Sequence, residues 1–296
     1  MDLKSLVQNT RTLFSLPDAL ICINQLIDDP NSQVNELAET ILCDAGLAAR
    51  LLRLANSAYY KSQRPVETVS HAIILLGHRQ VHDLVMTTVA VSIFKGLPPE
   101  LVNMDRFWLH SIRCGSAARH LAQYRRLHET EHFFIAGLLH GIGKLVLYSQ
   151  YPERYREVLE LAGEDESARI AAERRIFKFT YADVGAELLK SWRLYNHLHM
   201  AVAYHLDPSR APATYRLEAT ILHVAVQIAN SMPAEADVFS DPTMDDTAVD
   251  FAPLTKLLNL QPELLAALPT EIDLQAREIF EIVRPVPMAA FSPYSS

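Results

Sequence analysis

Four histidines, His110, His140, His205 and His223, are the side chains in this sequence best suited to hold a metal or move a proton. Zinc accepts several imidazoles at once, so a site built from His110, His140 and His205, with His223 as a further candidate, is chemically sound. These residues lie far apart along the chain, and spacing alone leaves their convergence open. The plainer reading treats His110 and His140 as buried, hydrogen-bonded helix residues kept for packing. That reading is adopted, with no catalytic residue, no metal and no cofactor expected. Cys114 follows His110 by four, so thiol and imidazole share a helix face; among apolar neighbours the thiol reads as core, not as nucleophile. Lys144 is either a cation left to contact phosphate or a residue at the edge of an apolar helix whose ammonium snorkels to water, and the second is preferred. His197 and His199, two apart, point to different faces of a helix. There is no Gly-rich loop to cradle a phosphate.

The elements that must carry these residues are helical. Val34, Leu37, Ile41 and Leu42 fall on one face, with Asn31 or Ser32 as cap. Leu47, Leu51, Leu54 and Ala55 repeat at helical spacing after a turn at Asp44-Ala45-Gly46. Thr68 caps a third helix, which Gly77 ends. A fourth runs to Phe94, where Lys95-Gly96-Leu97-Pro98-Pro99 breaks the chain into two halves. Beyond the break, helices are predicted over 107–124, 131–148, 153–161, 164–178, 181–192, 196–205 and 216–230. Gly137, Gly141 and Gly143 within one of them point to close helix approach, at a cost in helix propensity. No alternating pattern long enough for a strand occurs. Residues 233–253 read as a linker. A helical pair follows, 254–258 and 272–283, with Pro262 and Pro269 where helices start or stop, and 285–296 form a tail.

With 296 residues the chain can bury a full core, and 49% hydrophobic, 21% charged and only 9 Gly describe a helical globule. A net charge of -8 excludes a nucleic-acid surface as its main purpose, since phosphate binding needs clustered Lys and Arg. Arg125-Arg126 and Arg174-Arg175 read as solvated helix faces. Three cysteines, Cys22, Cys43 and Cys114, have no paired spacing and read as reduced core thiols of a cytoplasmic protein. No secretory signal opens the chain and no membrane span is expected, because the apolar runs 72–76 and 142–148 fall far short of a span.

Several separated motifs together carry a resemblance that none carries alone. They are Leu16-Pro17, Leu37-Ala38 leading to Asp44, Leu51-Leu52-Arg53-Leu54-Ala55-Asn56-Ser57 and Ala72-Ile73-Ile74-Leu75-Leu76-Gly77 in the first half. In the second half they are Phe107-Trp108-Leu109-His110-Ser111, Ala136-Gly137-Leu138-Leu139-His140-Gly141-Ile142-Gly143-Lys144, Val184-Gly185-Ala186-Glu187-Leu188-Leu189 and Trp192. From about Leu16 to Asn230 the chain resembles the HDOD family, regulatory relatives of the HD phosphohydrolases. The resemblance implies an all-α fold, an HD-like helical bundle with an additional N-terminal helical subdomain. It places an HDOD domain over 1–232, with a helical half at about 12–97 and an HD-like half at about 100–232. The linker (233–253) and a C-terminal helical extension and tail (254–296) follow. Ala45 stands where the family resemblance leads one to expect a proline.

An HD hydrolase holds its divalent metal with an early His, a His-Asp doublet and a late Asp. His110 and His140 match the first two positions. Gly141 stands where the doublet aspartate belongs, and the late position falls near Val226. Two further histidines of the HD-GYP relatives would lie near Tyr181 and around His205-Leu206, and His205 alone is retained. His110, His140, Gly141, Lys144 and His205 would line the remnant pocket. The resemblance therefore implies a bacterial, non-enzymatic signal-transduction module that acts through protein contacts. Its partners would be separate signalling proteins such as kinases, response regulators or cyclic-dinucleotide enzymes. The alternatives are a metal-dependent phosphohydrolase with a rebuilt His-rich site and a small-ligand or nucleotide sensor that uses the remnant pocket.

Overall fold

A computed structural model of the chain describes residues 2–10, 22, 23, 26, 33–57, 64–94, 97–127, 130–163, 165–232 and 256–283. Every regular element among them is helical. The α-helices are α1 (Leu3–Thr10), α2 (Val34–Leu42), α3 (Ala45–Ala55), α4 (Val69–Leu76), α5 (His78–Ile93), α6 (Met104–Tyr124), α7 (Glu131–Leu139), α8 (Ile142–Gln150), α9 (Pro152–Ala162), α10 (Glu166–Ile176), α11 (Tyr181–Ser191), α12 (Asn196–Tyr204), α13 (Arg216–Asn230) and α14 (Pro262–Val283). Two 3₁₀ turns, Pro208–Arg210 and Ala213–Tyr215, join α12 to α13. The fold is all-α, as the sequence predicts. The predicted linker, the tail, the caps Asn31 and Ser32, and Lys95-Gly96 of the breaker lie outside the described residues.

Local chemistry explains where several helices begin. Thr68 accepts a hydrogen bond from His71 N at 3.1 Å, satisfying a backbone donor that would otherwise lack a partner. Thr180 and Asp183 form a reciprocal capping box at the start of α11, which fixes the position of Tyr181 one residue later. Asp44, expected in a turn, instead caps α3 by accepting from Leu47 N at 3.0 Å, so Gly46 lies inside the first turn.

Helix α7 lies at the centre of the second half. It packs against α6, α5, α12 and α13, while α11 packs against α8 and α12. The main buried cluster runs from Leu6 to Val283 and draws on both sides of the 95–99 breaker, with Val81, Phe94, Trp108 and Leu138 all in it. A second cluster joins Ala118 and Leu121 of α6, Ile221 and Ala225 of α13, and Leu268 and Ile272 of α14.

Three sequence expectations need correction. The single helix predicted over 131–148 is two, because the chain turns at His140 and Gly141, where ψ opens to -3°. Together His132–Gln150 make an apolar stretch of 19 residues, long enough by composition to cross a membrane, yet 83% of it is buried against the other helices. Pro269 does not stop a helix but sits inside α14. Its missing N–H and ring clash cost roughly 3 kcal/mol, which burial of Leu268, Ile272, Ala276, Ile279, Phe280 and Val283 along one stripe offsets. Buried Arg113 on α6 pins the same helix through a salt bridge to Asp273, which also accepts from Arg277 Nε at 2.8 Å. Finally, Cys22 and Cys43 are exposed, and only Cys114 is a core thiol. Cys43 falls just past the end of α2, off its Leu37–Ala38–Ile41 stripe.

Candidate functional site

Two histidines occupy equivalent local positions. His140 caps the C-terminus of α7 and His205 that of α12. Each turns its ring back onto its own helix: His140 Nδ1 donates to Gly137 O and His205 Nδ1 to Val202 O, both at 2.7 Å. Each bond satisfies a carbonyl left over at a helix end. It also fixes the tautomer, leaving the Nε2 lone pair aimed into the protein. His110, on α6, completes a row of rings, its centroid 5.7 Å from that of His140, which in turn lies 5.4 Å from that of His205.

The three sequence-predicted imidazoles therefore do converge. His223 takes a supporting place, with its Nδ1 donating to the His205 carbonyl at 2.8 Å. Buried Tyr181 closes the far end, its hydroxyl 3.2 Å from His205 Nε2. Burial holds that hydroxyl protonated, with the nearby Glu166 and Glu173 carboxylates adding to the effect, so its one proton faces two acceptors, His205 Nε2 and the Glu166 carboxylate. Cys114, expected as core, is buried and also lies in the row, Sγ 3.4 Å from His110 Nε2. Burial raises its pKa, which keeps the thiol protonated and a donor to that nitrogen.

The row is uncharged. Burial, with the ring of His110 beside it, lowers the pKa of His140 to about 3. Burial and the neighbouring His140 lower that of His205 to about 3 as well. Half-buried His110 is depressed to about 4 by desolvation and by the positive charges of Lys144 and Arg113.

Lys144 does not snorkel, and here the sequence reading is corrected. Its Nζ pairs with Glu166 at 2.9 Å and sits 4.2 Å above the Tyr181 ring. An ammonium set in an apolar helix must find a carboxylate when it is buried. The Lys144 surroundings signalled this need; the sequence could not say that Glu166, on a helix two elements away, would meet it. Burial acts to raise the pKa of Glu166, but Lys144 and Arg169 outweigh it and hold the carboxylate below its ordinary value.

Beyond this pair lies a residue that sequence reasoning missed altogether. Glu173 is fully buried, accepting from Tyr155 Oη at 2.5 Å and from Tyr181 N at 2.7 Å. Burial pushes its pKa up to about 7, against the lowering effect of those hydrogen bonds.

The donor set can be tested against the metal of an HD hydrolase. A Cβ placed on Gly141 would lie 3.2 Å from Phe107 Cε2 and 3.3 Å from its Cζ, so an aromatic ring crowds the space a doublet aspartate would need. Val226, at the late position, is buried in the main apolar cluster. By the positions that the resemblance assigns, two imidazoles remain of the four ligands and neither carboxylate position holds a donor side chain. The residues present do not fit a hard, carboxylate-held hydrolytic ion.

Two openings lie near this row. One cavity, of about 190 Å³, is lined by Arg106, Leu109, His110, Arg113, Ala229, Asn230 and Met232. A larger cleft of about 430 Å³ lies beside the start of α11, with Arg174, Lys178 and Arg210 in its wall together with Asp183 and Asp207.

Comparison with known proteins agrees with the fold. A protein of Shewanella amazonensis, provisionally named a phosphohydrolase, is 26% identical, with 94% of this chain and 97% of that one aligned at a TM-score of 0.73. An HDOD domain protein of unknown function from Geobacter sulfurreducens shares the fold at 23% identity and a TM-score of 0.69, with 95% and 96% of the two chains covered. An uncharacterized protein of Treponema pallidum is 26% identical over 202 residues, which make up 68% of this chain but 39% of that relative. The HDOD domain family model matches residues 13–208, and with well over half of its length in that match this chain belongs to the HDOD domain family.

Proposed function

We propose that this chain is a regulatory HDOD module that relays a signal through contact with a separate protein and does not hydrolyse phosphate esters. The observation that carries the reading is the Phe107 ring standing against Gly141, where a metal-binding aspartate would have to go. Support comes from the neutral row His110–His140–His205, which offers no carboxylate to a hydrolytic ion. The Shewanella relative's name points the other way, but at 26% identity its activity does not transfer past a missing ligand set. A protein of Marinobacter aquaeolei, provisionally named a signal transduction protein, shares the fold at 23% identity and a TM-score of 0.68 over 93% of this chain and 60% of that one. The partners are cytoplasmic signalling proteins: kinases, response regulators or cyclic-dinucleotide enzymes.

The purified chain, given a chromogenic phosphate ester or nucleoside phosphates with manganese or nickel, is expected to release no phosphate above the buffer rate. Metal-dependent turnover that is lost on His140→Ala would overturn the reading. In a pairwise screen against the kinases, response regulators and cyclic-dinucleotide enzymes of its own genome, at least one saturable complex is expected; none would remove the partner half of the proposal.

A second reading has an observation of its own. Arg174, Lys178 and Arg210 converge on the 430 Å³ cleft, a volume suited to a small ligand. Of the two acids there, Asp183 is engaged with Thr180 and Asp207 with Ser209. If the module senses a phosphorylated small molecule, nucleotides or cyclic dinucleotides raise its Tm, and Arg174→Ala with Arg210→Ala abolishes the shift. An unchanged Tm at millimolar ligand rules this sensor out.

A further inference from the structure

The row of imidazoles ends in a thiol, and this changes which ion could bind there. His110, Cys114 and His140 each offer one donor atom, and the three donors lie within 4.8 Å of one another. A tetrahedral zinc ion with bonds of about 2.0–2.3 Å separates its ligand atoms by roughly 3.3–3.7 Å. The His110 Nε2 to Cys114 Sγ distance, 3.4 Å, already falls in that range. The other pairs lie within 4.8 Å and must draw closer for all three donors to share one ion.

Three features show that these donors are prepared for an ion. His140 donates its second ring nitrogen to a backbone carbonyl, the arrangement that orients a metal-binding imidazole and makes it more basic. The nearest cations, Arg113 and Lys144, each face a carboxylate, Asp273 and Glu166, which offsets part of their repulsion toward an ion. His110 forms part of the wall of the 190 Å³ cavity, which gives an ion a route to it.

We infer that His110, Cys114 and His140 form a binding site for one thiophilic d¹⁰ metal ion, of the zinc(II) class, in place of the hard hydrolytic ion that the missing carboxylates exclude. Soft thiolate and imidazole donors select such ions over manganese or magnesium, which require oxygen ligands. On binding, the Cys114 S–H bond breaks, a sulfur–metal bond forms and one proton passes to solvent, while both imidazoles bind in their neutral form. The bound ion ties α6 to the turn between α7 and α8, so the site would couple metal supply to the packing of this half of the protein. The inference rests on the donor atoms alone and stands apart from the regulatory reading.

The test uses the full chain, freed of metal by a chelator and titrated with cobalt(II) as a coloured substitute for zinc. One equivalent is expected to bind, with a thiolate-to-cobalt charge-transfer band in the near ultraviolet that one equivalent of zinc abolishes. Cys114→Ala, a small apolar replacement, should lose the band and bind zinc at least tenfold more weakly. Replacing the exposed Cys22 and Cys43 with Ser should leave the band in place. The inference falls if cobalt does not bind, if it binds without the band, if the band goes with Cys22 or Cys43, or if manganese binds as tightly as zinc. Should Cys114→Ala fail to fold, the band in the unaltered chain and its survival in the Cys22 and Cys43 variants still decide the matter.

Discussion

In chelator-treated protein, lowering the pH from 6.5 to 4.5 is expected to destabilise the fold by roughly 3–5 kcal/mol, with net uptake of one to two protons on unfolding. The cause is the neutral row. His140 and His205 resist protonation down to about 3 and His110 down to about 4, whereas in the unfolded chain each takes up its proton near 6.5. For a group with a lowered folded pKa, stability is present above the unfolded pKa and is lost as the pH falls towards the folded one. Two to three imidazoles act in this direction.

Glu173 acts in the opposite direction. Its folded pKa of about 7 exceeds the unfolded value of 4.5, so its contribution is most favourable below 4.5 and is lost as the pH rises to 7. One proton given up by Glu173 subtracts from those taken up by the histidines, which leaves the net of one to two. Each net proton is worth about 1.4 kcal/mol per pH unit. Denaturant titrations at a series of pH values measure the slope directly. Glu173→Gln should steepen the acid limb by about one proton and raise stability at pH 8 by up to roughly 3 kcal/mol, since the buried carboxylate no longer has to ionise. A fold equally stable at pH 4.5 and 6.5 would mean that the imidazoles are not held neutral.

A single methyl group added at either of two glycines is expected to cost about 3 kcal/mol or more. On Gly137 a Cβ would stand 2.5 Å from both the carbonyl carbon and oxygen of Cys114, and closer still to Gly115 N. On Gly143 it would meet Gly185 N at 2.7 Å and press harder on the Tyr181 carbonyl. These obstacles are backbone atoms, which cannot turn aside as a side chain would, so whole helices must separate. The two contacts are also what position the row. Gly137 lets α7 approach α6 beside Cys114, which brings His140 to His110, and Gly143 lets α8 approach Tyr181 at the start of α11. Gly137→Ala and Gly143→Ala should therefore lower Tm strongly, and any folded Gly137→Ala protein should lose the cobalt band described above. Gly185→Ala is the control: its Cβ would meet Gly143 N at 3.4 Å, an ordinary contact, and should cost far less. Equal losses at all three positions would mean that the backbone contacts at Gly137 and Gly143 do not set the cost, since helix propensity by itself favours alanine over glycine.

The helices were legible because their signals are local. Thr68 before an apolar run, Gly77 after it and the 3.6-residue recurrence of Leu and Ala each act within a few residues. The close approach at Gly137 and Gly143 was legible too, since glycine in a helix interior needs a reason. The expected loss of both carboxylate ligands rests on the positions that the resemblance assigns to Gly141 and Val226, since a side chain without a donor atom cannot bind a metal in any fold. What failed were judgements that depend on distant partners. Pro269 stays helical because α6 covers the stripe below it, and Lys144 stays inside because Glu166 reaches it. Glu173 gave no sign of burial, since its two hydrogen-bond partners come from elements before and after its own helix.

The same division holds for the feature of most chemical interest. Which donor types the chain carries, three imidazoles and a thiol with no carboxylate at Gly141 or Val226, is a property of residue type and was determined by the sequence alone. That those histidines meet, that the Phe107 ring stands close to Gly141 and that Cys114 joins the row were decided only when α6, α7 and α12 packed together. Side chains from different helices approach within a few ångströms only through backbone contacts distant in sequence, and no local pattern records them.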